Sequence, residues 1–207
     1  SYKNHRHQNI SSKFSESELG NPRDYAALQK KFADLRAPCR ALWKEKAELS
    51  MSSRVAFEHG HISQAFYLND RAREIDKKYQ AELRSASLKI FWLGNSDESV
   101  LNKGIVDLHG LNIKEAQHIL YSLLCTKEGK LNTWVIMECA RRVKVITGAG
   151  RHSEGGVVRL LPAIKHMFDS GYLGSVELKY KEIYDRLGAA FGLEVDVTPL
   201  VKMRREV

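Results

Sequence analysis

No run of this sequence approaches the about 20 consecutive apolar residues that a membrane-spanning helix needs, so a helical membrane protein is excluded and no membrane partner is expected. No secretory leader is expected either from this start, since Ser1 to His7 is polar and no apolar core follows it. The start also lacks an initiator methionine and reads as a piece cut from a longer protein. Upstream domains that recruit ubiquitin or other proteins are expected. Cysteine is scarce: Cys39, Cys125 and Cys139 are odd in number, and no two have the spacing of a CxxC metal or redox pair. That argues against a secreted disulfide scaffold and for a reduced compartment, with the cytoplasm as the expected location. His5 with His7 and His59 with His61 lack acids or cysteines in register beside them, so no metal and no other cofactor is expected.

Basic charge, by contrast, is in surplus. The net charge is +8, and it is spread along the chain. Residues 1–100 carry 17 Lys and Arg against 13 Asp and Glu, and residues 101–207 carry 16 against 12, so each half is +4. A basic surface suits a polyanion such as nucleic acid, and it suits equally a basic protein that binds none.

Residues 1–20 have no apolar period and are expected to form a flexible arm. Asn21-Pro22 then supplies a cap and a first-turn proline. Tyr25, Leu28, Phe32, Leu35, Cys39, Leu42 and Leu49 follow steps of three and four, with Lys46 in the one gap, which predicts a helix. Pro38 inside it is expected to kink or break it. After the turn at His59-Gly60-His61, a second stripe runs through Ala65, Leu68, Ala72, Ile75, Tyr79, Leu83 and Ala86. The two form a helical hairpin over 21–93, with Phe91, Trp92 and Leu93 as its docking contacts. Polar residues from Gly94 mark a linker over 94–103. The remaining unit, 104–207, alternates strands and helices. Strands are expected at Ile105 to Leu108, Val143 to Ile146, Val176 to Tyr180 and Leu193 to Val197. Helices are expected at Ile113 to Leu124, with Asn112 as cap, and at Val157 to Phe168, ended by Gly171. The fold class is thus α/β, a small βαβ-type sandwich preceded by an α-helical hairpin.

Two motifs carry chemistry. In Val106-Asp107-Leu108-His109-Gly110, Asp107 and His109 are two apart on a strand and share a face. They stand at its C-terminal end, where open α/β sheets hold ligands, and Gly110 lets the chain turn sharply. Alone, the pair also fits an Asp that caps the next helix and a His that packs on the sheet. In the second motif, Thr147, Gly148 and Gly150 turn a strand into a helix start, and Arg151, His152 and Ser153 follow. Such a turn aims backbone N–H groups at an anion, and Arg151 can fork onto phosphate oxygens. Alone, it also fits an ordinary loop. It lacks the P-loop Gly-Lys-Ser/Thr and the dinucleotide GxGxxG spacing. Arg141, Arg142 and Lys144 are further candidate phosphate contacts. Trp134, Tyr172 and Tyr180 are candidate stacking residues, with core burial favoured for Trp134.

Asp-x-His-Gly after one strand and Thr-Gly-x-Gly after the next, each opening a helix, resembles the two-part signature of Smr (small MutS-related) domains. The resemblance covers about residues 104–198, and the run His152-Ser153-Glu154-Gly155-Gly156 extends it. The hairpin is similar to the helical domain that commonly precedes Smr domains in eukaryotic proteins. The resemblance implies a sandwich similar to the C-terminal domain of translation initiation factor three. It implies an RNA endonuclease of the no-go decay kind, acting on mRNA at stalled or collided ribosomes. It ties cleavage to Asp107 and His109, with Arg151 as the basic residue beside the turn, and nucleic-acid contact to Thr147 through Gly150. The residues themselves suit a metal-free route: His109 as base for a ribose 2′-OH, Asp107 orienting it, Arg151 and turn amides on the phosphorane. The other readings are a non-catalytic RNA- or DNA-binding module, a protein-docking scaffold, and a nuclease that nicks DNA.

Overall fold

Apolar residues at steps of three and four place two long helices side by side. The computed structural model describes residues 22–96, 99–100, 103–125, 142–148, 158–170, 178–184 and 188–197, with side chains from residue 26 onward. Helix α1 is Pro22–Glu58 and helix α2 is Ile62–Gly94, joined through Gly60 at φ 76°. Phe32, Cys39, Ala56, Ala65, Ala72, Ile75, Ala86 and Ile90 are buried, and the four alanines let the helices approach closely. Lys46, the gap in the first stripe, reaches across to Asp76 at 2.6 Å, so an ion pair stands where the apolar row is interrupted. Pro38 does not break α1, which runs through it. An exposed proline forfeits one backbone bond, and the packing on α2 holds the helix together regardless.

The other unit is a four-stranded sheet covered by helices on one face. Its strands are β1 (Ile105–Asp107), β2 (Arg142–Ile146), β3 (Lys179–Tyr184) and β4 (Ala190–Asp196), in the order β1-β2-β4-β3. β1 and β2 are parallel, and the other two pairings are antiparallel. Helices α3 (Ile113–Leu124) and α4 (Leu160–Asp169) follow β1 and β2. Alternation along the strands sends Val106, Leu108, Val143, Val145, Leu193 and Val195 into a core with Ile119, Leu120, Leu124, Ile164, Met167 and Phe168. The opposite face carries Asp107, Arg142, Lys144, Lys179, Lys181, Glu194 and Asp196, as the strand registers require. This is a mixed α/β arrangement. Strand β3 lies later than the expected Val176 to Tyr180, and Tyr180 packs on Phe168 with its hydroxyl donating to Asp169, so it is not a free stacking ring. Asn21, Trp134, Gly171 and Tyr172 lie outside the described residues.

The hairpin is tied to the sheet unit. Phe91 is buried in the sheet unit's core, whereas Trp92 and Leu93 are exposed. Within the segment expected to be a linker, Asn95 and Val100 are buried. Arg36 of α1 donates to both oxygens of Glu115 on α3, at 2.6 and 2.7 Å, and to the Gly110 carbonyl at 2.9 Å. Glu115 in turn accepts from the Asn112 amide at 2.9 Å, while Asn112 accepts from the Glu115 amide, completing a capping box. Burial pushes the Glu115 carboxyl up, but Arg36 and the Asn112 amide outweigh it and hold it below its ordinary value.

Arg36→Ala strands a carboxylate that is 5% exposed and should cost about 3 kcal/mol of unfolding free energy in urea titration. Because the folded pKa of Glu115 is lowered, its stabilisation is complete above the ordinary range near 4.5. It is lost as pH falls through the lowered value. Stability should therefore fall less on acidification in Glu115→Gln than in the wild type. Gly110 has φ 82°, and a Cβ there would sit 2.3 Å from the Phe32 ring. Gly110→Ala should cost about 1–2 kcal/mol for the backbone strain alone and more for the clash. Adding Phe32→Ala should cost less than the sum of the single changes in a double-mutant cycle.

Candidate catalytic site

β1 and β2 run parallel, so the segments that follow them emerge at the same end of the sheet. Asp107 is the last residue of β1, and Leu108 continues the ladder by donating to the Ile146 carbonyl at 2.8 Å. The chain then turns, and the Asp107 carboxylate accepts twice from His109. Oδ1 takes the backbone N–H at 2.9 Å and Oδ2 lies 2.7 Å from Nδ1. The cap of α3 is Asn112, not Asp107. The carboxylate therefore serves the imidazole.

Three walls enclose the pair. Phe32 of α1 stands edge-on to the His109 ring, with centroids 5.9 Å apart. Gly94, at the end of α2, passes close enough that a Cβ would lie 3.9 Å from both Asp107 Oδ2 and His109 Cε1. From β2, Gly148 at φ 77° comes so near that a Cβ would sit 3.7 Å from His109 Cβ. The side chains of Asp107 and His109 each remain 20% exposed, so the imidazole is not sealed in apolar packing. Burial lowers the His109 pKa, but the hydrogen bond and charge of Asp107 outweigh it and hold the imidazole above its ordinary 6.5. The contact with the carboxylate is made through Nδ1.

The structure brings Asp107, His109, Gly110, Thr147 and Gly148 together. It also reassigns the first amides of the glycine turn: Thr147 N–H and Gly148 N–H both donate to the Phe191 carbonyl, at 2.8 and 3.0 Å, as does the Thr147 hydroxyl at 3.1 Å. Those donors close the turn onto β4, so the amides of Thr147 and Gly148 are already taken. Gly192 permits this, because a Cβ there would lie 2.5 Å from the Val145 carbonyl oxygen. Lys144 shares the Asp107 face, opposite Glu194, which also pairs with Lys181 at 2.5 Å. Arg142 begins β2, about 13 Å along the strand from Ile146, and so is remote from the pair. Arg141, Gly150, Arg151, His152 and Ser153 lie outside the described residues. Among the described residues, no three His, Cys, Asp or Glu side chains converge as a metal site, and no helix is long and apolar enough to cross a membrane.

Sequence patterning missed Phe32, Arg36, Gly94 and Asn95. Phe32 is on the apolar stripe, and Arg36, four residues on, shares its face; a charge beside an apolar row was the available signal. Asn95 gave none beyond following a helix-ending glycine.

No family model matches the chain, and no solved structure matches it. It is similar to Endonuclease NBR9 of Saccharomyces cerevisiae, 29% identical over 147 residues, which are 70% of this chain and 57% of that protein. It is also similar to NEDD4-binding protein 2 of Homo sapiens, 30% identical over 142 residues, 68% of this chain and 7% of that protein. The chain thus spans a little over half of the first relative's length and a small part of the second's, and the first is named for nuclease activity.

Proposed function

We propose that the chain is an Smr-type endonuclease that cuts RNA by transesterification through the ribose 2′-OH. The observation that carries this reading is the 2.7 Å contact of Asp107 Oδ2 with His109 Nδ1, beside the turn at Thr147-Gly148. Similarity to a protein named as an endonuclease supports it. In the proposed reaction, neutral His109 takes the 2′-OH proton at Nε2, and Asp107 stabilises the resulting cation. The 2′-oxygen attacks the adjacent phosphorus, the bond from phosphorus to the 5′-oxygen breaks, that oxygen takes a proton from solvent and leaves as a hydroxyl, and His109 returns its proton to solvent. The products are a 2′,3′-cyclic phosphate and a 5′-hydroxyl. Arg151 with the later turn residues is assigned to the phosphorane, and Lys144 to the RNA backbone. The substrate in the cell is proposed to be mRNA on stalled or collided ribosomes in the cytoplasm.

End-labelled RNA with a single deoxyribose at the scissile position should resist cutting, while EDTA leaves cleavage of the all-ribose strand intact. Normal cutting of the deoxy substrate would remove the 2′-OH route. His109→Ala should slow cleavage by roughly 10²–10⁴-fold, with RNA affinity retained in filter binding. The rate should rise with pH as His109 loses its proton. Its raised pKa places the half-rise above 6.5. Asp107→Asn leaves burial to act without the opposing carboxylate, so the half-rise should move to lower pH as the plateau falls. A half-rise that stays in place would mean that His109 is not the base.

A further inference from the structure

β1 is an edge strand whose neighbour in the sheet is β2. Its alternate residues turn toward β2: Lys144 N–H donates to the Gly104 carbonyl and Leu108 N–H to Ile146, both at 2.8 Å. Asp107 therefore turns its own N–H and C=O away from the sheet, to the side where a further strand would lie. The Asn95 side chain occupies that side. Asn95, which caps the end of α2, accepts the Asp107 N–H on Oδ1 at 2.7 Å and donates from Nδ2 to the Asp107 carbonyl at 2.7 Å. The same Nδ2 donates to the Phe91 carbonyl at 2.8 Å, tying the bonds to the helix. Asn95 is 8% exposed, so water does not compete freely for these groups.

We infer that Asn95 is a positioning residue for the Asp107–His109 couple, and that the helical hairpin belongs to the catalytic centre. The backbone of Asp107 is held at both its polar groups by an amide from another unit. The direction of its carboxylate, and hence the grip on His109 Nδ1, follows from that hold. Phe32 against the His109 ring and Arg36 on the Gly110 carbonyl fix the other end of the loop. Among the described residues, the other charges packed here are Arg36 and Glu115, which pair with each other, and Lys144 on the Asp107 face of β2. Asp107 bonds the imidazole at 2.7 Å. The inference rests on reading Asp107 and His109 as the reacting couple, but its first test does not depend on cleavage.

That test is an NMR titration of the His109 ring protons in the full chain. Asn95→Ala removes all three bonds. Asn95→Ser keeps a hydroxyl that can donate to the Phe91 carbonyl four residues back, so the helix end stays tied while both bonds to Asp107 are lost. Ile75→Val, in the hairpin core, is the control for stability alone. In both Asn95 variants the His109 midpoint should fall below that of the wild type, while Ile75→Val leaves it unchanged. Cleavage of all-ribose RNA should lose about 10-fold or more in plateau kcat, as is typical when the support of a reacting group is lost. KM should stay within about twofold, and the half-rise should move to lower pH. A midpoint that stays put in Asn95→Ser, or moves equally in Ile75→Val, overturns the inference and leaves the endonuclease proposal standing. If the wild type does not cut RNA, the endonuclease proposal fails while the midpoint still judges the role of Asn95.

Discussion

Arg36 and Glu115 form a two-pronged ion pair at 2.6 and 2.7 Å where the hairpin meets the sheet unit. A carboxylate buried at the start of α3 is costly unless its oxygens are occupied, and here Arg36 and the Asn112 amide occupy them. The net stabilisation from such a pair is modest, because desolvation offsets most of the attraction. Its larger effect is geometric. One guanidinium sets the start of α3, the carbonyl of Gly110 and the lateral position of α1 together. Phe32, one turn earlier on α1, then falls onto Gly110 and His109.

His109 consequently sits between opposed influences. Burial beside Phe32 favours the neutral ring, and Asp107 favours the cation more strongly. The ring's orientation is held through Nδ1, on the carboxylate that also favours its cation. Among the described residues no strand lies beyond β1, and Asn95 holds both backbone polar groups of Asp107 on that side. The sheet alone would present the couple on a loose edge, and the hairpin supplies the missing side.

Much of this was legible in the residues. Helix α3 spans Ile113–Leu124 as its periodicity indicates, with Asn112 capping it, because the apolar period and the capping box are both local signals. Strand β2 and the two hairpin helices followed from period alone. Pro38 and the 94–103 segment misled for one reason: local propensity yields to packing that it does not encode. Pro38 stays helical because α2 holds α1, and Asn95 is buried because it bonds the outer side of Asp107. The amides of Thr147 and Gly148 were read as free for phosphate because their bond to Phe191 joins positions more than forty residues apart.

By itself the sequence determined that two long helices precede alternating strands and helices, that Asp107 and His109 lie two residues apart where the first strand ends, and that a glycine turn follows the neighbouring strand. Those features depend on the 2.0 and 3.6 residue periods of the chain, which any local stretch displays. Only the tertiary structure decided that Asp107 grips the imidazole and does not cap the helix, that the turn's first amides are already taken, and that Phe32, Arg36 and Asn95 complete the site. Arg36 meets Glu115 across 79 positions and Asn95 meets Asp107 across 12, and neither contact has a period to reveal it. Such contacts exist only once the two units have packed, because the packing itself creates the partners.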